Sequence, residues 1–268
     1  MRARATRRLA VLGHPVAHSR SPAMQNAALE DLGLGDSWSY EAVDLEPDAF
    51  AGFVSGMEAD GFVGANVTVP HKRAAFEAAD SAGPAAAGIG AANTLIFDSG
   101  RIRAENTDAP GLIDSLPADP AESRALVLGA GGAGRAVLWA LNGAGARVSI
   151  WNRTGSKAVD LSGELGGTAL TDPRAGDFDL IVNSSAAGLG GGDPFADLPL
   201  DPQEFRAGQV VVDMVYGDAP SPLLEAAGAA GADTVDGLEV LVRQGARSLA
   251  IWTGREPSLE VMRAAARG

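Results

Sequence analysis

The two lysines of this chain are the first residues whose chemistry stands out. Among 21 basic residues only Lys72 and Lys157 are lysine, and all the others are arginine. An ammonium group can lose a proton under conditions where a guanidinium does not, and its charge is more compact. A position that keeps Lys against this bias is therefore a candidate for proton transfer or for close contact with an anion.

Several small polar or charged residues lie where predicted strands end or predicted helices begin. They are Ser19, Ser21, Asn66, Thr68, Lys72, Asn93 and Asp108. Ligands of open α/β sheets bind at the carboxyl ends of parallel strands. A set of hydroxyls, amides and charges at such an edge is of the kind that grips a polyhydroxylated acid.

Some of these residues have a purely structural alternative. Pro22 suits the first turn of a helix, and Ser21 before it suits the N-cap position. Ser19 and Ser21 beside a helix N-terminus would also form a cradle for a carboxylate, and both roles can hold at once. Asn66 and Thr68 are two apart and therefore on one face of a strand, where they are either ligand contacts or a buried hydrogen-bonded pair.

A glycine-rich turn near the middle of the chain predicts a dinucleotide-binding unit. Residues 125–133 read ALVLGAGGA, an apolar strand that breaks into glycines before a helix-like run from Gly134. Gly129, Gly131 and Gly134 have the G-x-G-x-x-G spacing. The first allows the tight turn, the second lets backbone approach a pyrophosphate, and the third lets the helix pack on the strand. The helix N-terminus then offers its N–H groups to that anion.

The next predicted strand ends at the position that reads the ribose of the cofactor. Arg147–Trp151 is strand-like and is followed by Asn152, Arg153 and Thr154. An acidic residue at this position would accept hydrogen bonds from the 2′-hydroxyl of NAD. An Arg fork with nearby hydroxyls and Lys157 suits a 2′-phosphate instead. We therefore predict NADP as the cofactor, with a solvated basic turn as the alternative.

Length, charge and composition limit the remaining possibilities. The chain has 268 residues, enough for two domains, and its net charge of −13 argues against a nucleic-acid partner. It has no Cys, and Pro15 between His14 and His18 argues against a helical metal pair, so we expect neither disulfide nor metal. With no signal-peptide-like start and no run of about eighteen apolar residues, we expect a soluble cytoplasmic protein with no membrane partner.

Strands and helices alternate along the chain, which predicts βαβ units and an α/β fold. In the first half, strand-like runs cover residues 9–13, 38–45, 61–69 and 90–96, and helical runs cover 22–32 and 48–57. A further helix begins at Lys72, and another begins near Pro110. This alternation places the polar residues described above at strand ends.

The chain resembles the shikimate dehydrogenase family over nearly its whole length. The segments that carry the resemblance are, in order, GHPVAHSRSP, GANVTVPHK, GAANT, ENTDAPG, GAGGAGRA, WNRT, VNSSAAG, VVDMVY and DGLEVLVRQGA. The resemblance implies an N-terminal α/β substrate domain, a Rossmann domain for NADP, and C-terminal helices that return to the first domain. The implied bounds are 1–106 with 238–268 for the substrate-binding and catalytic domain, and 107–237 for the NADP domain.

The resemblance also implies an activity and a set of site residues. The activity is reversible reduction of 3-dehydroshikimate to shikimate by NADPH, a step in aromatic amino acid biosynthesis through chorismate. Lys72 and Asp108 match the catalytic pair. The implied substrate contacts are Ser19, Ser21, Asn66, Thr68, Asn93, Tyr216 and Gln244. The implied cofactor contacts are Gly129, Ala130, Gly131, Gly132, Ala133, Asn152, Arg153, Thr154, Lys157 and Gly237. The chain departs from many members at Glu239-Val240, where they carry Gly-Met.

Two alternative functions remain open at this point. A paralogue acting on quinate or an aminoshikimate would share the same fold, although relatives that use NAD often carry an acidic residue where this chain has Asn152. A non-catalytic NADPH-binding regulatory module would be favoured by loss of Lys72 or Asp108, and both are present. Glutamyl-tRNA reductases and folate dehydrogenases share only the Rossmann half. The oligomeric state is left as monomer or homodimer.

Overall fold

The computed structural model describes residues 6–217 and 220–268 of the chain, which divide into two compact units. Unit 1 is drawn from Met1–Thr107 and Leu241–Gly268, and unit 2 is Asp108–Val240. Unit 1 is therefore discontinuous in sequence, because the last segment of the chain belongs with the first.

The secondary structure alternates along the chain as the sequence pattern predicts. The strands are β1 (Arg7–Gly13), β2 (Trp38–Asp44), β3 (Phe62–Val67), β4 (Ser81–Ala82), β5 (Thr94–Asp98), β6 (Arg101–Glu105), β7 (Arg124–Leu128), β8 (Arg147–Trp151), β9 (Thr168–Ala169), β10 (Leu180–Asn183), β11 (Val210–Asp213) and β12 (Asp233–Asp236). The α-helices are α1 (Ser21–Asp31), α2 (Phe50–Gly56), α3 (Lys72–Glu77), α4 (Pro84–Ile89), α5 (Asp108–Ser115), α6 (Gly132–Gly143), α7 (Gly155–Leu165), α8 (Pro222–Ala229), α9 (Gly237–Thr253) and α10 (Leu259–Arg267). Short 3₁₀ turns cover Pro47–Ala49, Ala175–Asp177, Pro194–Ala196 and Pro202–Glu204.

Unit 1 is built on a mixed sheet whose described strands have the order β2-β1-β3-β5-β6-β4. β1 runs parallel to both β2 and β3, whereas β5 runs antiparallel to β3 and β6. Leu9, Ala10, Val11 and Leu12 of β1 are all buried, as expected for a central strand covered on both faces. The loops that follow β1 and β3 therefore leave the same edge of the sheet.

Unit 2 is a doubly wound parallel sheet whose described strands have the order β12-β11-β10-β7-β8-β9. The chain starts in the middle at β7, builds outward through β8 and β9, and then returns to the other side of β7 with β10. This order is that of the Rossmann fold, in which dinucleotides bind where the strand order reverses. The turn after β7 lies at that reversal.

Most predicted elements are present, and β8 has the predicted bounds. Residues 48–57, predicted as one helix, are instead a 3₁₀ turn led by Pro47 and the separate helix α2. Thr68, predicted inside a strand, lies just beyond β3, because the chain turns there and the His71 N–H donates to the Thr68 carbonyl over 2.9 Å. α6 begins at Gly132, earlier than the predicted Gly134.

The predicted cap of α1 is also wrong. Ser21 is the first residue of the helix, Arg20 occupies the N-cap position, and no side chain caps the helix there. The helix starts one residue early because the Met24 N–H donates to the Arg20 carbonyl over 3.1 Å. Ser21 is therefore not the N-cap residue of α1.

None of the helices in residues 6–217 and 220–268 combines the length and the apolar character needed to cross a membrane.

Candidate active site

The loop after β1 brings two serine hydroxyls to the start of α1. The Ser19 N–H donates to the Val16 carbonyl over 3.0 Å, which closes a turn and holds Ser19 before the helix. The Ser19 Oγ accepts a hydrogen bond from the Ser21 N–H over 3.3 Å, and Ser21 is buried. A helix N-terminus carries partial positive charge, so hydroxyl donors beside it suit a carboxylate.

Asn66 lies at the end of β3 with its amide fully oriented by hydrogen bonds inside unit 1. Its Oδ1 accepts from the Tyr40 hydroxyl over 2.8 Å. Its Nδ2 donates to the Asn93 carbonyl over 3.1 Å and to the Ser248 Oγ over 2.9 Å. Thr94 Oγ1 lies 3.2 Å from the same Nδ2. The amide plane of Asn66 is therefore fixed from three sides.

Asn93 precedes β5 and is held in the same network. Its Oδ1 accepts from the Thr107 N–H over 2.7 Å and from the Thr94 hydroxyl over 3.0 Å. Its Nδ2 donates to Gln244 Oε1 over 3.1 Å, and Gln244 Nε2 donates to the Leu241 carbonyl over 2.9 Å. The structure thus brings together Asn66, Asn93 and Gln244, three of the residues predicted to contact substrate.

Thr68 and Lys72 lie on the segment that connects β3 to α3, and Lys72 is the first residue of that helix. His71 anchors the start of the helix, since its Nε2 lies 2.6 Å from the Leu45 carbonyl oxygen and its ring stacks on Phe50 at 4.7 Å. The Lys72 carbonyl accepts from the Ala92 N–H over 2.8 Å. These contacts fix the backbone of Lys72 next to the segment that carries Asn93.

The remaining predicted residues of the reaction site belong to unit 2. Asp108 is the first residue of α5 and is buried, with 6% of its surface exposed. Tyr216 follows β11. The strand end before Tyr216 is anchored by Asp213, which accepts hydrogen bonds from the Val215 N–H over 3.1 Å and from Asn183 Nδ2 over 2.9 Å. Burial raises the pKa of the Asp213 carboxyl.

The glycine-rich turn of unit 2 uses glycine where a side chain would be strained or would clash, and it leaves open space beside Gly131. Gly129 has φ +109°, a conformation that side chains with a Cβ rarely adopt. A Cβ on Gly134 would overlap the Gly129 carbonyl oxygen, so only Gly lets α6 start this close to β7. A Cβ on Gly131 would meet nothing within 4 Å, so the space beside that backbone is open. Gly132 and Ala133 form the first turn of α6.

The end of β8 is tied to this turn through Asn152. Its Oδ1 accepts from the Ala130 N–H over 3.0 Å, and its Nδ2 donates to the Thr154 carbonyl over 3.0 Å. The Arg153 side chain is 80% exposed and forms an ion pair of 3.1 Å with Asp197. Asn152 therefore shapes the turn, whereas Arg153 presents an exposed positive charge beside it. Lys157 is exposed on α7 nearby in sequence, and Gly237 begins α9.

His14 lies outside this set and is hydrogen-bonded to Asp44. Its Nδ1 is 2.5 Å from Asp44 Oδ1, and this hydrogen bond raises the pKa of His14 and lowers that of Asp44. Among the described residues, no group of three or more His, Cys, Asp or Glu side chains is arranged to hold a metal ion.

The sequence analysis missed four hydroxyls of the unit 1 network. They are those of Tyr40, Thr94, Thr107 and Ser248. Thr94 and Thr107 lie in segments that the sequence analysis singled out, next to Asn93 and Asp108. Ser248 is separated from Asn66 by 182 positions, and only its place one helical turn after Gln244 hints at a shared face.

Fold and site together define a class of protein: a two-unit α/β protein with a Rossmann dinucleotide-binding unit and a second unit that presents oriented amides and hydroxyls. Residues 11–95 match the family model described as the shikimate dehydrogenase substrate binding domain. Residues 237–267 match the model described as the shikimate 5′-dehydrogenase C-terminal domain.

Comparison with individual proteins gives the same result. The chain is 44% identical to the NADP(+) shikimate dehydrogenase of Thermus thermophilus, covering 97% of each chain. It is 41% identical to that of Moorella thermoacetica, covering 95% of this chain and 90% of the relative. A crystal structure of a Thermus thermophilus shikimate 5-dehydrogenase in complex with NADP(H) and shikimate has a TM-score of 0.89 at 42% identity, covering 98% of this chain and 99% of that one. The chain belongs to the shikimate dehydrogenase family.

Proposed function

We propose that this protein is an NADP-dependent dehydrogenase that interconverts 3-dehydroshikimate and shikimate. The observation that carries the proposal is the similarity over 98% of the chain to a protein solved with NADP(H) and shikimate bound. Relatives named NADP(+) shikimate dehydrogenase at 41% and 44% identity support it.

Unit 2 supplies the cofactor site in this proposal. NADPH, when bound, supplies the hydride for the reduction. The open backbone at Gly131 and the first N–H groups of α6 take the pyrophosphate. Arg153 takes the 2′-phosphate, exchanging its surface ion pair with Asp197 for a charge-assisted contact with the cofactor. Lys157 adds positive charge to a protein whose net charge is −13.

Unit 1 supplies most of the substrate site. Ser19 and Ser21 hold the carboxylate, a role favoured by their place at the N-terminus of α1. The oriented amides of Asn66, Asn93 and Gln244 hold ring hydroxyls. Thr68 and Tyr216 complete the set as further contacts.

Lys72 and Asp108 carry the proton chemistry in this proposal. Reduction of the ketone builds negative charge on its oxygen, and an ammonium stabilises that charge and donates the proton. In the oxidation direction the same nitrogen takes the proton from the hydroxyl. Asp108, a buried carboxylate at the start of α5, is the second member of the proposed catalytic pair. The backbone of Lys72 is suited to the task because His71 and Ala92 fix it at both sides.

Four initial-rate measurements test the proposal: shikimate and quinate, each with NADP and with NAD. We expect the largest kcat/KM for shikimate with NADP. A larger kcat/KM for quinate would contradict the substrate assignment, and a larger one for NAD would contradict the cofactor assignment. No turnover with any pair, together with measurable NADPH binding, would favour a regulatory module.

A cytoplasmic location and a monomeric or homodimeric state complete the proposal.

A further inference from the structure

We propose that Thr94 and Ser248 are positioning residues for the substrate, and that they act by orienting the amides of Asn66 and Asn93. This inference rests on the proposed function, because it assigns Asn66 and Asn93 to substrate binding. Thr94 and Ser248 have no exposed surface at all, whereas Asn66 and Asn93 keep 6% and 2% of theirs. Thr94 and Ser248 therefore support the amides from behind and do not touch the substrate themselves.

The two hydroxyls form the centre of the network. Thr94 Oγ1 and Ser248 Oγ are 2.8 Å apart, and both lie within hydrogen-bond distance of Asn66 Nδ2. Ser248 Oγ also lies 3.0 Å from Thr107 Oγ1. A hydroxyl can donate once and accept twice, so it can join two amides in a way that an apolar side chain cannot.

Thr94 shows why a hydroxyl is needed at this point. Its Oγ1 lies 3.2 Å from Asn66 Nδ2 and donates to Asn93 Oδ1 over 3.0 Å. The nitrogen end of one amide and the oxygen end of the other therefore both contact the same hydroxyl. The two ends of an Asn amide have nearly the same shape, so only their hydrogen-bond partners decide which end faces the ligand.

Ser248 connects this arrangement to α9. It accepts from Asn66 Nδ2 over 2.9 Å and donates to the Gln244 carbonyl over 3.1 Å, one helical turn earlier. Gln244 in turn accepts from Asn93 Nδ2 over 3.1 Å. The helix, both amides and both hydroxyls are therefore one connected set, and removal of a central hydroxyl takes one orienting contact from an amide that keeps its other partners.

The test compares variants that keep or remove a hydroxyl at the same place. Thr94→Val and Ser248→Ala should raise the KM for shikimate by roughly threefold to tenfold, the effect expected for one or two hydrogen bonds. The KM for NADP should stay unchanged in both. Thr94→Ser, which keeps the hydroxyl, should restore most of the affinity. Thr253→Val removes a hydroxyl from the same helix that donates to the Leu249 carbonyl over 2.7 Å outside the network, and it should leave both KM values unchanged.

A double-mutant cycle separates positioning from general stability. If Thr94 acts through Asn93, Thr94→Val should add little to the loss in kcat/KM already caused by Asn93→Ala. Full additivity, or a lower melting temperature with unchanged KM for shikimate, would overturn the inference while leaving the proposed function intact. Absence of shikimate turnover in the wild-type protein would overturn both.

Discussion

The two units prepare their ligand contacts in opposite ways. In unit 1 the candidate contacts Asn66, Asn93 and Gln244 are buried and hydrogen-bonded to one another before any ligand arrives. In unit 2 the candidate contacts are backbone N–H groups at open glycines and an Arg side chain that is 80% exposed. Unit 1 relies on oriented side chains, and unit 2 relies on the course of its backbone and on surface charge.

This difference follows from what each ligand offers. A small polyhydroxylated acid presents several hydroxyls at fixed angles, and oriented hydrogen-bond partners distinguish it from its isomers. A pyrophosphate is a strong anion that any set of convergent N–H groups attracts. Changes in unit 1 should therefore alter specificity and stability together, whereas a change at Arg153 should alter affinity alone. The following predictions test this comparison in order of expected effect.

Lys72 should show the largest effect, because it is the proposed acid and base. Lys72→Ala should lower kcat by roughly a hundredfold to ten-thousandfold, the usual contribution of a positioned acid or base. Lys72→Arg should recover little, since a guanidinium hardly gives up a proton. The measurement is kcat with both substrates saturating. Arg73→Ala is the control, because Arg73 is exposed and pairs only with Glu77 at the next turn among the contacts described for it. If the kcat of Lys72→Arg were close to that of the wild type, proton transfer by Lys72 would be excluded and its role would be electrostatic only.

Arg153→Asp should give the next largest effect and should spare unit 1. Reversing the charge would turn the proposed charge-assisted contact with the 2′-phosphate into a repulsion, so NADP should bind roughly tenfold to a hundredfold more weakly. NAD binding should change little. The ratio of the two dissociation constants is the measurement, and Arg101→Asp, an exposed position on β6 of unit 1, controls for net charge. A change in the ratio below about threefold would exclude Arg153 as the phosphate contact and leave Lys157 to be tested.

Gly134→Ala tests whether the backbone itself is the cofactor site of unit 2. The added Cβ would overlap the Gly129 carbonyl oxygen, so we expect the free energy of unfolding to fall by about 1–3 kcal/mol, with weaker NADP binding. Gly143→Ala lies at the other end of the same helix, where a Cβ meets nothing within 4 Å. It should be neutral or stabilising by up to about 1 kcal/mol. Equal behaviour of the two variants in chemical denaturation would contradict the close-packing argument.

The pair of His14 and Asp44 should have the smallest effect on stability, because both side chains of this unit 1 pair are exposed. Because the pKa of His14 is raised, its contribution to the stability of the fold is fully present below the ordinary value of 6.5. That contribution is lost as the pH rises through the raised pKa. Because the pKa of Asp44 is lowered, its contribution to the stability of the fold is fully present above the ordinary value of 3.8. That contribution is lost as the pH falls through the lowered pKa. The pair therefore stabilises the fold mainly between these two values.

Melting temperatures of the wild type and Asp44→Asn, compared at about pH 5 and about pH 9, measure this contribution. The difference between the two proteins should be larger at the lower pH. An equal difference at both would show that the hydrogen bond does not depend on the His14 charge.

Local patterns predicted the elements that carry their own signals. β8 and the glycine-rich turn were predictable because strand periodicity and the spacing of Gly129, Gly131 and Gly134 are local properties of the sequence. The wrongly predicted element bounds lie where a neighbouring residue determines the start of a helix or the end of a strand. Pro47 leads a 3₁₀ turn that separates α2 from the residues before it, and the turn closed by His71 ends β3 before Thr68.

The hydroxyl network could not be predicted for a different reason. Its hydrogen bonds join residues 14, 26, 151 and 182 positions apart, and nothing local to Tyr40 or Ser248 indicates a partner at that distance. Ser21 shows the converse error. Its sequence context fits a cap well, but the helix starts one residue earlier, which only the backbone hydrogen bonds reveal.

The discontinuity of unit 1 affects the order in which the two units can fold during synthesis on the ribosome. Domains generally fold as units, those nearer the N-terminus first. Here residues 108–240 are complete before residues 241–268 emerge, so unit 2 has all its residues available while unit 1 does not. Until α9 leaves the tunnel, the Gln25 side chain lacks the Gly245 carbonyl and Asn66 lacks Ser248. The first strands to be synthesised are therefore the last to gain a finished core, because unit 1 waits for the segment that supplies α9 and α10.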